Sequence, residues 1–218
     1  VAYLVFLTGF GYLASDVDRF SGEEDVSRWV QSWRATWLDY VMKGISAPGV
    51  RQVAAPLVAL TAVLLFLKGM RKESVVIPGA VVAGTVINSL LKVVIARPRP
   101  GAGLVEIIQE SDSFAFPSGH VVFFTLFLGT LAVVLTWNAR PSMRRHLVYG
   151  IVALLLIAVG VSRVYLGAHW TGDVLGAYAF GAAGVAIAVG LWRLWVGRDG
   201  DALAEPRAPA RGPTPPRG

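Results

Sequence analysis

Apolar residues in this chain arrive in blocks close to the roughly 20 residues that cross a bilayer, and this limits the fold before any motif is considered. The run LVYGIVALLLIAVGVSRV, Leu147 to Val164, carries a single charge, Arg163. Water is missing from the hydrocarbon core, so a spanning segment must satisfy its own backbone, which an α-helix does. Six such spans can be read: Val1 to about Ala14, Val53 to Leu67, Val75 to Ala96, His120 to Trp137, Leu147 to Val164, and Asp173 to Val196. Only 16% of the residues are charged, against about 25% in a typical soluble domain. The expected fold is an all-α polytopic membrane protein, a six-helix bundle. The opening VAYLVFLTGFGYLA lacks the basic n-region and cleavage site of a signal peptide and reads as the first span.

The connections give an orientation. KGMRKE (Lys68 to Glu73) and NARPSMRRH (Asn138 to His146) are short and basic, which places them in the cytoplasm, together with the arginine-rich tail. The remaining connections, Ser15–Gln52, Arg97–Gly119 and Tyr165–Gly172, then face outward, giving an N-in/C-in topology in the cytoplasmic membrane. The formal charge of +6 is thereby read as orientation by positive loops, with no nucleic-acid partner. Within the first outer segment, residues 22–45 read as one amphipathic helix. Trp29, Trp33 and Trp37 share a face suited to the headgroup layer or to packing on the bundle's outer end. Residues 1–197 form one membrane-embedded domain on this reading. The Pro/Arg/Ala-rich stretch 198–218 reads as a disordered cytoplasmic tail. No internal repeat is visible. The chain has no cysteine, which excludes disulfides and thiolate chemistry.

Ionisable residues at span ends mark functional candidates. They fall in three clusters: Lys92 and Arg99 in LLKVVIARPRP, His120 in FAFPSGH, and Arg163, His169 and Asp173 in VSRVYLGAHWTGD. All three clusters map to the outer end of the bundle. Three cationic side chains suit a tetrahedral dianion, with the arginine forks matched to phosphate oxygens. Ser118 and Gly119 stand where the fourth span begins, so free backbone N–H groups and the positive end of a helix dipole serve the same anion. His169 and Asp173 are spaced i, i+4, so a helix would let the carboxylate fix one ring nitrogen and leave the other as a lone-pair nucleophile. His120 is then the group that protonates the leaving oxygen and activates water.

These elements, K-x6-R-P (Lys92, Arg99, Pro100), PSGH (Pro117 to His120) and SR-x5-H-x3-D (Ser162, Arg163, His169, Asp173), resemble the three signature motifs of the type 2 phosphatidic acid phosphatase superfamily. They are complete and in order. The resemblance implies a membrane lipid phosphate phosphatase that needs no metal and no cofactor, with an outward-facing site. It implies that Lys92, Arg99, Ser118, Gly119 and Arg163 bind phosphate, that His120 is the acid/base, that His169 is the nucleophile and that Asp173 orients it. The implied substrate is a phosphomonoester or diphosphate lipid held in the bilayer. Undecaprenyl diphosphate ranks ahead of phosphatidic acid or phosphatidylglycerol phosphate, a ranking taken from bacterial family members.

Other readings were weighed on the same residues. Zinc ligation by His120, His169 and Asp173 meets three cations that would repel a dication. Lys92, Arg99 and Arg163 taken singly are ordinary snorkelling residues. His146 belongs to a solvated loop, Asn88 is either a support for Lys92 or an interhelical contact, and Trp170 is an interface anchor or a substrate contact. A non-catalytic anion-binding or transport protein would use the same basic cluster, but it gives no reason for two histidines and an aspartate at these spacings. Transfer of the phosphoryl group to an acceptor other than water uses the same intermediate. Lipid identity, oligomeric state and the role of the tail have no readable code.

Overall fold

The structure, a computed structural model, describes residues 20–137 and 142–204. The predicted first span and the tail from 205 onward lie outside this range. Among the described residues the chain is all-helical, apart from one isolated bridge between Ala102 and Val105. The helices are α1 (Glu23–Gln31), α2 (Thr36–Ser46), α3 (Arg51–Leu67), α4 (Glu73–Ile95), α5 (Gly119–Thr136), α6 (Met143–Tyr165) and α7 (Thr171–Ala204), with a 3-10 turn at Ala47–Gly49 between α2 and α3.

Helices α4, α5, α6 and the Thr171–Val196 part of α7 are each long and apolar enough to cross a membrane. The pair α2–α3, bent by 55° at its break, counts as a fifth span if taken together. The break follows from its sequence. Pro48 sits in the first turn of the 3-10 segment, and Val50 is extended (φ −74°, ψ 142°), so the helical hydrogen-bond ladder restarts only at Arg51.

Helix α5 is the axis of the bundle. Apolar residues surround it on all sides, as expected of a helix with no solvent or lipid face, and 61% of its span is buried, against 22% for α4. Val121, Val122, Phe123, Phe124, Leu126 and Phe127 form the centre of the core. Leu126 is the tightest knob. A Cβ added at Gly84 of α4 or Gly184 of α7 would lie 2.1 or 2.4 Å from its two methyl carbons, so the two glycines let the helices close on Leu126 in its present rotamer. The outward faces are equally apolar: Val86, Leu90, Val93 and Val94 on α4, Leu154 and Ile157 on α6, and Ile187 and Leu191 on α7 are all exposed. Such surfaces belong against lipid.

Two expectations about the ends of the bundle change. Residues 22–45 form two helices and not one. The ladder of α1 stops at Ser32, whose N–H reaches back to the carbonyls of Arg28 and Trp29 and whose hydroxyl also bonds Trp29 O (2.7 Å). Trp29, Trp33, Trp37 and Tyr40 remain exposed. The last helix also continues past Val196, where the apolar pattern stops, through residues 198–204, which the sequence assigns to the tail.

Candidate active site

The ends of α4, α5, α6 and α7 bring all three charged clusters together, under a roof made by α1, α2 and the loop 97–118. The roof is pinned down by polar contacts. Gln31 donates to Glu106 O (2.8 Å) and Tyr165 O (3.0 Å) and accepts from Glu106 N (3.0 Å), Arg28 donates to Leu104 O (2.9 Å), and the Tyr165 hydroxyl donates to Asp39 (2.7 Å).

His169 lies in the short loop between α6 and α7 and is 2% exposed. Arg99 Nη1 is 3.3 Å from its Nε2. A guanidinium only donates, so Nε2 carries a lone pair and the proton resides on Nδ1. That Nδ1 faces Asp173 Oδ2 at 3.5 Å, an electrostatic contact longer than a hydrogen bond, of the kind that tightens when substrate arrives. Burial above all, then the positive charges of Arg99, Arg163 and Lys92, and then His120, hold the His169 imidazolium well below the usual histidine range. The ring is therefore neutral at pH 7.

Asp173 is fully buried in the first turn of α7. Its Oδ2 accepts from the Trp170 N–H (2.8 Å), the reach of a third helical residue back to the residue before the helix. Its Oδ1 accepts from Arg97 (2.7 Å).

The cations are held by the loop that separates the motifs. Lys92 Nζ donates to Phe114 O and to Ala115 O (3.3 Å). Arg99 donates from Nε to Ser113 O (2.5 Å), from Nη2 to Ser113 Oγ (2.9 Å), and from Nη1 to Ala168 O. Arg163 Nη1 donates to Ser46 Oγ (2.6 Å) and Gln109 Oε1 (2.9 Å). Each fork or ammonium is thus oriented before any anion enters.

The PSGH segment follows a cis Phe116–Pro117 bond and opens α5. One expectation fails here: the Ser118 N–H is not free, because it donates to Asp173 O (3.2 Å). The bond from Val122 N–H to Ser118 O (3.0 Å) leaves Gly119, His120 and Val121 as the other amides of the helix's first turn. Ser118 Oγ, His120 Nε2 and Arg163 Nε are buried with no hydrogen-bond partner. Buried polar atoms are normally satisfied, and a phosphate offers enough oxygens to satisfy all three.

Several residues outside the motifs also reach the site. A Cβ on Gly49 would lie 2.4 Å from His120 Cδ2, so the bend between α2 and α3 presses directly on that imidazole. Ser46, from the same bend, orients Arg163. Buried Asn88 lies 3.5 Å from where a Gly119 Cβ would stand. Arg97 and Glu23 form a buried ion pair (2.6 Å) behind Asp173. The sequence reading missed Arg97, although a second arginine in ARPRP needs a buried partner or water; Asn88 stood out only as a support for Lys92 or an interhelical contact, and Gly49, Ser46 and Glu23 left no signal in the sequence. His146 hydrogen-bonds its own helix start, Ser142 O (3.0 Å).

A membrane-embedded helical bundle that gathers three cations, two imidazoles and a helix N-terminus at one end is built to work on a phosphate carried by a lipid. The model of the PAP2 superfamily matches residues 73–198, and the chain belongs to that family. Phosphatidylglycerophosphatase B of Bacillus subtilis is 33% identical over 165 residues, covering 74% of this chain and 78% of the relative. An undecaprenyl-diphosphatase of Sulfolobus acidocaldarius is 27% identical over 191 residues, 83% of this chain and 86% of the relative. The crystal structure of the transmembrane PAP2-type phosphatidylglycerolphosphate phosphatase from Bacillus subtilis superposes with a TM-score of 0.75 at 26% identity, over 86% of this chain and 94% of that one. The protein is an integral membrane enzyme of the lipid phosphatase class, hydrolysing lipid phosphate or diphosphate esters.

Proposed function

We propose that the enzyme removes a terminal phosphate from a membrane lipid through a phosphohistidine on His169, without a metal ion. The observation that carries this reading is the pair of contacts on one buried ring: Arg99 on the Nε2 side at 3.3 Å and Asp173 on the Nδ1 side at 3.5 Å. Nε2 attacks phosphorus as the bond to the lipid oxygen breaks, and His120 gives that oxygen its proton. Water then attacks the phosphohistidine while His120 takes its proton, the P–N bond breaks, and inorganic phosphate leaves. Lys92, Arg99, Arg163 and the amides at the start of α5 neutralise the charge that builds on the phosphoryl oxygens, work that a metal ion does in other phosphatases.

The residues do not separate lipid substrates, so the ranking rests on likeness. The relative named for phosphatidylglycerophosphate has the higher identity, and a solved structure with the same substrate in its title shares the fold. Phosphatidylglycerol phosphate therefore moves ahead of undecaprenyl diphosphate, which stays second on the strength of the archaeal relative. The lipid chains stay in the bilayer, and the exposed tryptophans of α1 and α2 lie in the headgroup layer. The reading keeps six spans, a single membrane domain, a cytoplasmic tail and a site facing away from the cytoplasm.

The test is phosphate release in detergent with excess EDTA from phosphatidylglycerol phosphate, undecaprenyl diphosphate and phosphatidic acid, with H169A alongside. Release that survives EDTA and falls at least about 10⁴-fold in the variant is the expected result. Release abolished by EDTA, or retained in H169A, overturns the mechanism. No release from any lipid, with orthovanadate still bound, favours the anion-binding reading. Orientation is tested separately on this cysteine-free chain. S142C should react with an impermeant maleimide only after the membrane is opened, and labelling from outside reverses the topology.

A further inference from the structure

Arg97 has no place in the phosphate-binding scheme, yet it is the most completely enclosed cation near the site. Its side chain is 0% exposed. It leaves the helix directly after Ala96, whose left-handed conformation (φ 50°, ψ 28°) ends α4 and turns the chain inward. One arm of the guanidinium meets Asp173 Oδ1 at 2.7 Å, the other meets Glu23 Oε2 at 2.6 Å, and the Phe20 ring lies 4.7 Å from its Cζ. The Arg97 carbonyl also accepts from Ala115 N (2.8 Å), so the backbone is fixed along with the side chain.

Glu23 is equally committed. Its Oε2 accepts from the Phe20 N–H (2.6 Å) and its Oε1 from the Gly172 N–H (2.7 Å), in the first turn of α7 and one residue before Asp173. A Cβ at Gly172 would lie 2.6 Å from Glu23 Oε1, so this approach needs glycine. Glu23 therefore holds the start of the catalytic helix by its backbone and Arg97 by its charge. It does so from α1, outside the segment that matches the family model.

The consequence falls on one carboxylate. Asp173 has two oxygens: Oδ2 faces the His169 ring and the Trp170 amide, and Oδ1 is held by Arg97. With Oδ1 held, the carboxylate plane cannot rotate away from Nδ1–H. We infer that Arg97, braced by Glu23, is a positioning residue for this reaction: it fixes Asp173 and, through it, the tautomer and aim of the His169 nucleophile. This rests on the phosphohistidine reading above.

The test is a double-mutant cycle between Arg97 and Asp173, assayed on phosphatidylglycerol phosphate and undecaprenyl diphosphate micelles, with orthovanadate affinity as a measure of the phosphate site. R97Q should lower kcat by about 10–100-fold, the usual cost of losing a partner that orients a catalytic ligand, while KM and orthovanadate affinity move by less than about threefold. R97K, which keeps the charge and loses the fork, should recover part of the loss. On a D173N background R97Q should add little, because the residue acts through the carboxylate. Losing a partner from a buried ion cluster is strongly destabilising, so E23Q provides a second route. It keeps the shape and an acceptor for Gly172, and should show the same kcat-only loss at smaller size. Equal losses in kcat and orthovanadate affinity, full additivity with D173N, or unchanged kcat in both R97Q and E23Q would overturn the inference. Absence of turnover in the unaltered enzyme bears on the phosphatase reading alone, since every outcome here is a ratio to that rate.

Discussion

The two ends of the bundle use the same residue types in opposite ways. At the end opposite the site, Lys72 donates to Trp195 O (2.7 Å) and lies over its ring, Trp192 donates to Glu73 (2.9 Å), and Arg193 stacks on Trp137. Arg193 is exposed and Lys72 and Glu73 are half-buried beside the buried Trp192, at a rim where a cation and an indole anchor a helix at a membrane surface. At the site end Arg97, Arg163 and Asp173 are enclosed, and each is held by named partners from other helices or from the loop 97–118. A charge left to water reports orientation; a charge taken out of water and fixed reports chemistry, because the cost of desolvation is accepted only where geometry is used.

The comparison breaks most visibly at the bend between α2 and α3. G49A places a methyl group where the His120 ring now lies, 2.4 Å from Cδ2. The ring must shift by a substantial part of an ångström. Misplacement on that scale costs about 10²-fold in kcat, whereas orthovanadate binding, which depends on Lys92, Arg99 and Arg163, should change little. Steady-state kinetics beside vanadate titration separates the two effects. If kcat is unchanged, the bend does not set the position of the His120 ring.

A smaller effect should come from pH. The imidazolium of His169 is disfavoured by burial first and by Arg99 next. Its neutral, reactive form therefore persists below pH 6.5, the ordinary histidine value, and the acidic limb of kcat/KM assigned to it should lie under that pH. R99Q removes one of the positive fields, so the limb should move up toward 6.5 even as overall activity falls. A limb that stays in place would mean that the charge of Arg99 does not help to set it.

What could be read in the sequence divides along the same line. Lys92, Arg99, His120, Arg163, His169 and Asp173 are legible because they are ionisable residues in or beside apolar runs, and snorkelling, which would explain a cation taken singly, does not explain three cations beside two histidines and an aspartate. Some span ends are legible too: Leu67 ends α3, and the predicted limit Val164 is one residue short of Tyr165, whereas α7 runs on past Val196, where its apolar run stops. The brace was not legible. Glu23 stands beside Glu24 and Asp25 and differs only in the phase of its helix, which turns it toward Arg97, 74 residues away. Ser46 meets Arg163 across 117 residues, and neither partner's local sequence marks the other. The bonded state of the Ser118 N–H was not legible for a related reason. A helix start promises free amides, but α7 supplies the Asp173 carbonyl to one of them.

The smallest effect should come from the far end, and it tests the principle from the other side. K72A removes the hydrogen bond to Trp195 O and the contact with its ring at 5.7 Å. An exposed cation–π contact is worth about 0.5–1 kcal/mol, and surface substitutions usually lie within about 0.5 kcal/mol. The detergent-solubilised variant should therefore lose at most about 1 kcal/mol of stability, with kcat and KM unchanged, because the α5 core separates Lys72 from the reacting groups and nothing at the site depends on this charge. Thermal unfolding and lipid turnover measured together would decide the point. A large loss of turnover with little loss of stability would show the two ends to be coupled through α4, which runs from Glu73 to the turn bearing Lys92, and burial would no longer separate chemistry from orientation.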